Sequence, residues 1–501
     1  MSYTIVVLAD IHAAERNPAH CPDRRSTLAE VLLLRAVHRI NRTIKPNITL
    51  LLGDLIDDGA SAQAPAALQR LRGILDVLQS PLIVIPGNHD GDVAAFYRAM
   101  PRPAETVDID GVRFLPFLDQ EAPHYNAQRT AADLARMTAA RVGFDGPIVA
   151  LQHVPLLPPG QGASPYRVTN ADAALQAMRT AGITLAISGH FHDGDALIRS
   201  DAGAFVVAPA LCEAPFAFLE ITIDGEEITV TRHTLRLPSH LGLIDCHTHT
   251  PFAYCQENMD FGLSLQVAEA FGLAGLTFTE HSGQMYFAQQ TYWRGAFLAG
   301  EIATQDVRNL RMPAYLAAAR QLCPPARLGL ELDCDAAGQP VVRPEDQGQV
   351  ALLIGAVHHL RELDNPQPDL ERAADEFLAR LQTFIPSGIQ ILAHPFRVFR
   401  RAQLPVPERL FAPTVRLLRE HGVAAEINFH TNEPSPAFTT RCLEAGVKLT
   451  FGSDAHNLYE IGEFTPHLAL LRQCGITGDL HDVLSPLGIR SEQAAALRQK
   501  L

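Results

Sequence analysis

Short apolar runs that break off into a histidine, a carboxylate or an asparagine recur along this chain. In its first half, Ile5-Val6-Val7-Leu8 leads to Asp10 and His12, Ile48-Thr49-Leu50-Leu51-Leu52 to Gly53-Asp54, and Leu82-Ile83-Val84-Ile85 to Gly87-Asn88-His89-Asp90. Ile148-Val149-Ala150-Leu151 then leads to His153, and Leu185-Ala186-Ile187-Ser188 to Gly189-His190-Phe191-His192. Four or five apolar residues make a buried strand, and Ala/Leu/Arg-rich helical stretches such as residues 26–44 lie between the runs. Strands that each exit into a ligand-type residue gather those residues at one sheet edge. The glycines before Asp54, Asn88 and His190 permit a sharp exit and a close backbone approach. A hairpin is expected to close this half, with strands at 218–223 and 227–231 around a turn at Asp224-Gly225.

The second half repeats the logic without repeating the sequence. Seven runs end in turn at His247-Thr248-His249, Glu280-His281, Glu331, His358, His394-Pro395, Glu426 with Asn428, and Asp454-Ala455-His456. Seven strands alternating with helices, each ending in a functional residue type, describe a parallel barrel with its site on one face. The stretch from about Thr477 reads as one or two short helices without chemistry. The halves meet at a joint of about residues 235–242 that contains Pro238 and Ser239. This divides the chain into domains at 1–236 and 242–501, and so brief a linker implies that the halves pack closely.

Composition removes several function classes. Of the 501 residues, 47% are hydrophobic and 19% charged, which supports folded domains rather than a disordered chain. Acidic residues outnumber basic ones 55 to 41, so broad electrostatic binding to long nucleic acid or an anionic membrane is disfavoured. The N-terminus does not read as a signal peptide, and no apolar run reaches the ~20 residues that span a bilayer. The 8 cysteines form no Cys-x-x-Cys pair and are expected to stay reduced, which fits a cytoplasmic protein. The 21 histidines concentrate in the strand-end motifs.

The first five blocks mix oxygen and imidazole ligands in the number that two divalent metals need, with a carboxylate to bridge them. In their order they resemble the calcineurin-like metallophosphoesterases. The stretch His38-Arg39-Ile40-Asn41 ahead of Gly53-Asp54 is most similar to the branch of small cyclic-nucleotide and glycerophosphodiester phosphodiesterases. The resemblance implies an α-β-β-α sandwich holding two metals (Mn, Fe or Zn). Asp10, His12 and His192 would bind one, Asn88, His153 and His190 the other, and Asp54 would bridge. His89 would lie near the leaving-group oxygen as proton donor or transition-state stabiliser. Asp57 and Asp90 read as supporting or turn residues rather than ligands.

The second set, His247, His249, His281, Glu331, His358, His394, Asp454 and His456, is richer in histidine and is not spaced like a zinc finger. Its seven-strand layout resembles the PHP (polymerase and histidinol phosphatase) family, a distorted (β/α)7 barrel. The words Asp245-Cys246-His247-Thr248-His249-Thr250 and Phe278-Thr279-Glu280-His281 are closest to its histidinol-phosphatase-like branch. The resemblance implies two or three metals (Zn, Mn or Fe). His247, His249 and Asp454 would hold a first, with Glu331 bridging to a second on His358 and His394, and His281 and His456 would serve a third. Cys255 stands where several members carry another histidine, so either Cys255 or Glu257 completes the third site or that site is weak or empty. Arg397 is placed either to support a bound phosphate or as a solvated surface arginine. Glu426 and Asn428 read as orienting residues, and His430 fits either role. His20, His124, His240 and His467 lie outside the motifs, and Cys246 and Cys334 read as packing residues. Tyr292-Trp293-Arg294, with the chain's only tryptophan, reads as packing, or else as a loop stacking a ring at the barrel mouth.

Together the two resemblances imply a bifunctional metal-dependent phosphoesterase. The first domain would open a small, possibly cyclic, phosphodiester and the barrel would remove phosphate from the monoester. A nuclease or DNA-repair phosphoesterase is the alternative, as is one active domain with the other as scaffold. The partners expected are small-molecule phosphate esters, with homo-oligomerisation left open.

Overall fold

A computed structural model describes residues 2–300, 302, 311–321 and 326–490. The chain divides into two compact units, Met1–Arg236 and Leu237–Leu501. The sequence-expected joint is already committed on both sides. Leu235 donates its N–H to Phe216 within the first unit, and Leu237 donates its own to Phe271 within the second.

The first unit holds a five-stranded and a six-stranded sheet. The five-stranded sheet runs Glu227–Thr234, Ala217–Asp224, Tyr3–Leu8, Ile48–Leu52, Leu82–Ile85, with the last three parallel. In the other, Ile148–Leu151 and Leu185–Ser188 run parallel at the centre. Ile5, Val7, Leu50 and Ile85 of one sheet and Phe114, Val149, Leu151 and Ile187 of the other share one buried cluster, so the sheets pack face to face. The outer face of the six-stranded sheet is covered by helices Ala131–Ala139 and Ala171–Ala181, whose Met137, Leu175 and Met178 meet Leu115, Ala150 and Ala186. Residues 26–44 form a 3-10 turn, the helix Ala29–Arg39 and a π turn that ends at left-handed Lys45. The hairpin differs from expectation by one residue. Asp224 pairs with Glu227, which puts Gly225-Glu226 in the turn, because the left-handed position (φ 61°) falls on Gly225.

In the second unit, Ile244–Thr248, Gly275–His281, Ala326–Asp333, Leu352–Ala356, Ile391–Leu392, Ala424–Asn428 and Leu449–Gly452 form a seven-stranded parallel sheet in sequence order. A parallel bridge from Thr248 to Ala455 nearly closes it into a barrel. Helices alternate with the strands. Leu370–Phe384, for example, is capped by Asp369 and buries Ala373, Ala374, Phe377, Leu381 and Phe384 along one face. Cys246 packs with Leu352, Ile354 and Ile391 in a small cluster, the role expected of it, and Cys334 is likewise buried in the main core. In the terminal stretch the described part carries one 3-10 turn, Leu480–Asp482, and residues 491–501 lie outside the described residues.

Candidate metal centres

The strand exits of the first unit converge. Asp54 Oδ2 lies 3.5 Å from His12 Nε2 and 3.2 Å from His153 Nε2. Asp10 Oδ1 lies 3.9 Å from His12 Nε2 and 3.6 Å from His192 Nε2. His190 Nδ1 faces His153 Nε2 at 3.1 Å, and the Asn88 side-chain oxygen is 3.2 Å from the same nitrogen. A metal with bonds near 2.1 Å draws its ligand atoms to about 3.0–3.4 Å from one another, a range that the three separations at His153 Nε2 match and the three around His12 and Asp10 exceed by a few tenths of an ångström. All seven residues expected as ligands here are therefore in one place, with Asp54 between the two groups.

The local backbone explains why these residue types stand at these positions. Asp10, His12, Asp54 and His190 adopt left-handed φ values of 55°, 48°, 54° and 68°. Asp and His tolerate that region better than most side chains, at about 1–2 kcal/mol each. A β-carbon on Gly53 would come within 2.5 Å of His153 Nδ1, and one on Gly87 would collide with the Asp54 carboxylate. Only glycine lets the two loops pass this closely.

The barrel builds a second cluster around Glu331. Its Oε2 lies 2.6 Å from His281 Nδ1, 3.6 Å from His247 Nε2 and 3.7 Å from His249 Nε2, while Oε1 lies 3.1 Å from His358 Nε2 and 2.8 Å from His394 Nε2. Asp454 Oδ1 is 2.9 Å from His249 and 3.4 Å from His247. His249, His281 and His456 bring one ligand atom each within 4.8 Å of the others. His394 and Asp454 again sit at positive φ, 28° and 54°.

Both clusters fit metals on an observation independent of family. Asp10 Oδ1, His12 Nε2 and His247 Nε2 are buried without a hydrogen-bond partner. A buried polar atom left unpaired costs about 1–3 kcal/mol, yet these atoms are aimed at the centres of the two clusters. The outer ring nitrogens, by contrast, are tied. His12 Nδ1 meets Asp57 at 3.1 Å, His192 Nδ1 Glu213 at 2.6 Å, His247 Nδ1 Glu426 at 2.8 Å, His249 Nδ1 Glu280 at 3.2 Å and His358 Nδ1 Asp333 at 2.7 Å. A carboxylate behind each imidazole fixes its tautomer and turns the other nitrogen inward as a ligand. Electrostatics agree. Burial alone would raise Glu331, but His358, His281 and His247 hold it well below the usual carboxylate range. Burial would lower His358, yet Glu331 and Asp333 push it up to about 9, whereas burial holds His281 and His394 below the usual imidazole value.

Other sequence-expected residues resolve as follows. Asp57 stands behind His12, and Asp90 accepts the N–H groups of Leu55, Ile56 and Gly87, a turn role. His89 lies beside His12 with ring centroids 4.7 Å apart and donates its Nδ1–H to the Asp57 carbonyl at 2.7 Å. Arg397 is not a solvated surface arginine; it is 5% exposed and ion-paired to Asp454. Asn428 donates to Glu426 and Asp454, and His430 stacks on His456 while pairing with Glu460. Cys255 Sγ lies 3.5 Å from His281 Nε2, its thiol pushed up to about 12 by burial, and Glu257 accepts from the Asn457 amide at 2.7 Å. His467 is a core histidine.

Sequence reasoning missed the residues behind the ligands. Besides Glu213 and Asp333 these include Asp119, whose Oδ2 receives the N–H groups of His153 and Val154 while Oδ1 pairs with buried Arg129 at 2.6 Å. Tyr125 also escaped notice; its carbonyl receives His190 Nε2 at 3.0 Å and so directs Nδ1 inward.

Residues 3–194 match the family model for calcineurin-like phosphoesterases, so this stretch carries a calcineurin-like metallophosphoesterase domain. Among solved structures the chain is similar to a dimetal phosphatase from Danio rerio, with 17% identity and a TM-score of 0.40 over 46% of this chain and 96% of that one. It is similar to a purple acid phosphatase from yellow lupin seeds, with 12% identity and a TM-score of 0.35 over 47% of this chain and 52% of the other. A Listeria monocytogenes chain provisionally named a histidinol phosphatase shares 15% identity at a TM-score of 0.32, over 45% of this chain and 99% of that one. No curated protein matches the chain.

Proposed function

We propose that this chain is a bifunctional metal-dependent phosphoesterase. Its metallophosphoesterase unit opens a small-molecule phosphodiester, cyclic ones included, and its barrel is a PHP-type phosphomonoesterase that converts the resulting monoester to alcohol and inorganic phosphate. The observation that carries the reading is the aim of the buried, unpaired ligand atoms at the centres of two separate clusters, with Asp54 and Glu331 each facing histidines on both sides.

Paired divalent ions at such sites neutralise phosphate oxygens and lower the pKa of water toward neutrality. The chain's own residues supply the rest. In the first unit Asp57 and Glu213 orient His12 and His192, and Asp119 holds the His153 backbone. His89 spends Nδ1–H on a carbonyl, so Nε2 is the ring nitrogen left for the departing oxygen, and it would donate a proton to that oxygen only from the doubly protonated ring. In the barrel, Arg397 and Asn428 hold Asp454 in place, and Asp333, Glu280 and Glu426 hold His358, His249 and His247. The cation deficit, 41 against 55 acids, argues against the nuclease alternative, and the intact second cluster argues against a scaffold.

Chelation followed by Zn or Mn add-back tests this. Chelated protein is expected to lose release of p-nitrophenol from bis(p-nitrophenyl) phosphate and from p-nitrophenyl phosphate, with both restored by metal. Asn88→Ala should remove only the diester activity. Metal-independent turnover, or loss of both activities in Asn88→Ala, contradicts the proposal.

A further inference from the structure

Three ligand histidines of the barrel, His281, His358 and His456, line part of a cavity of about 770 Å³. Pockets of roughly 300–1,000 Å³ take whole small molecules, so a phosphate held at the cluster fills only part of this one. The remaining wall therefore describes the alcohol. It carries Trp293, 53% exposed, whose neighbour Tyr292 is buried and bonded to Asp333. A large aromatic face left open beside a polar cluster is a stacking surface.

The charges of the wall are unequally committed. Arg397 is spent on Asp454, Asp364 on His359 and Glu257 on Asn457. Arg294 and Arg401 line the same cavity with no ion-pair partner among the described residues. In a chain of net charge -14, two exposed guanidiniums that line one cavity without an ion-pair partner among the described residues are groups that would attract an anion.

We propose that the barrel's substrate is a phosphomonoester whose alcohol contains a planar ring and a second anionic group, the ring stacking on Trp293 and the anion reaching Arg294 and Arg401. This specifies the substrate class of the phosphomonoesterase proposed above and rests on that reading.

Trp293 is the only tryptophan, so its fluorescence reports this wall alone. The metal-loaded full chain is titrated with butyl phosphate, phenyl phosphate and 4-carboxyphenyl phosphate, and phosphate release is followed in parallel. Both ring esters are expected to change the fluorescence saturably, in competition with inorganic phosphate, and butyl phosphate to leave it unchanged. The carboxylate should tighten binding roughly tenfold over phenyl phosphate, a gain erased in Arg294→Ala or Arg401→Ala. Trp293→Ala should lower the phenyl-to-butyl ratio of kcat/KM by about tenfold. Silent fluorescence while ring esters saturate turnover, equal affinity for the two ring esters, or a carboxylate gain that survives in both arginine variants overturns the proposal. Saturable binding without phosphate release sensitive to His358→Ala contradicts the monoesterase reading instead and leaves the subsite standing.

Discussion

Glu331 faces five histidines with two oxygens, three on one and two on the other, and it is fully buried. A buried carboxylate in that position is stabilised by positive charge, whether on its imidazoles or on metals held among them. Glu331→Gln is therefore expected to lower metal affinity at the barrel by at least about 100-fold while leaving the first unit's metals in place, as elemental analysis after dialysis would read. Unchanged metal content would show that Glu331 is only a hydrogen-bond acceptor. At this scale the sequence is most legible where ligands follow strands, as Asp54 and His153 do. It is mute about Glu213, Asp119 and Asp333. Glu213 lies 21 positions beyond the histidine it supports, and Asp119 lies 34 before His153. Only the fold makes them neighbours, and nothing local marks them apart from any other carboxylate.

Loops that pass within contact of one another decide whether the strand exits can converge. Gly53 and Gly87 belong to adjacent strand exits, and each leaves room that the other's loop, or its ligands, fills. Gly87→Ala places a methyl against the Asp54 carboxylate, with an expected cost of roughly 1–3 kcal/mol from overpacking. The thermal midpoint should fall, and diester cleavage should fall at least tenfold, while monoester cleavage persists. Full diester activity in this variant would mean that the approach of the two loops does not position the bridge. Elements are legible from periodicity where a barrel strand is a short apolar run beside an amphipathic helix, as at Leu352–Ala356 and Leu370–Phe384. The hairpin turn was off by one because Asp-Gly and Gly-Glu are both acceptable turn pairs. Pairing of Asp224 with Glu227 chooses between them. For Arg397 the sequence leaves phosphate support and a surface position open, since three residues past a ligand says nothing of whether a side chain turns outward or, as here, toward Asp454.

For the molecule as a whole, two units with separate cores each carry a candidate metal cluster, so the two proposed reactions should be separable by single substitutions in either unit. No helix among the described residues is long and apolar enough to cross a membrane, and the seven described cysteines are free thiols. Whether one chain performs two phosphoester cleavages in series, as proposed, can be read by phosphorus NMR of bis(p-nitrophenyl) phosphate incubated with the zinc-loaded wild type and with His358→Ala. The wild type is expected to carry the signal through to inorganic phosphate, whereas His358→Ala stops it at the monoester, which accumulates. Inorganic phosphate appearing equally fast in both would rule out the series, because the first unit alone would then be cleaving both bonds.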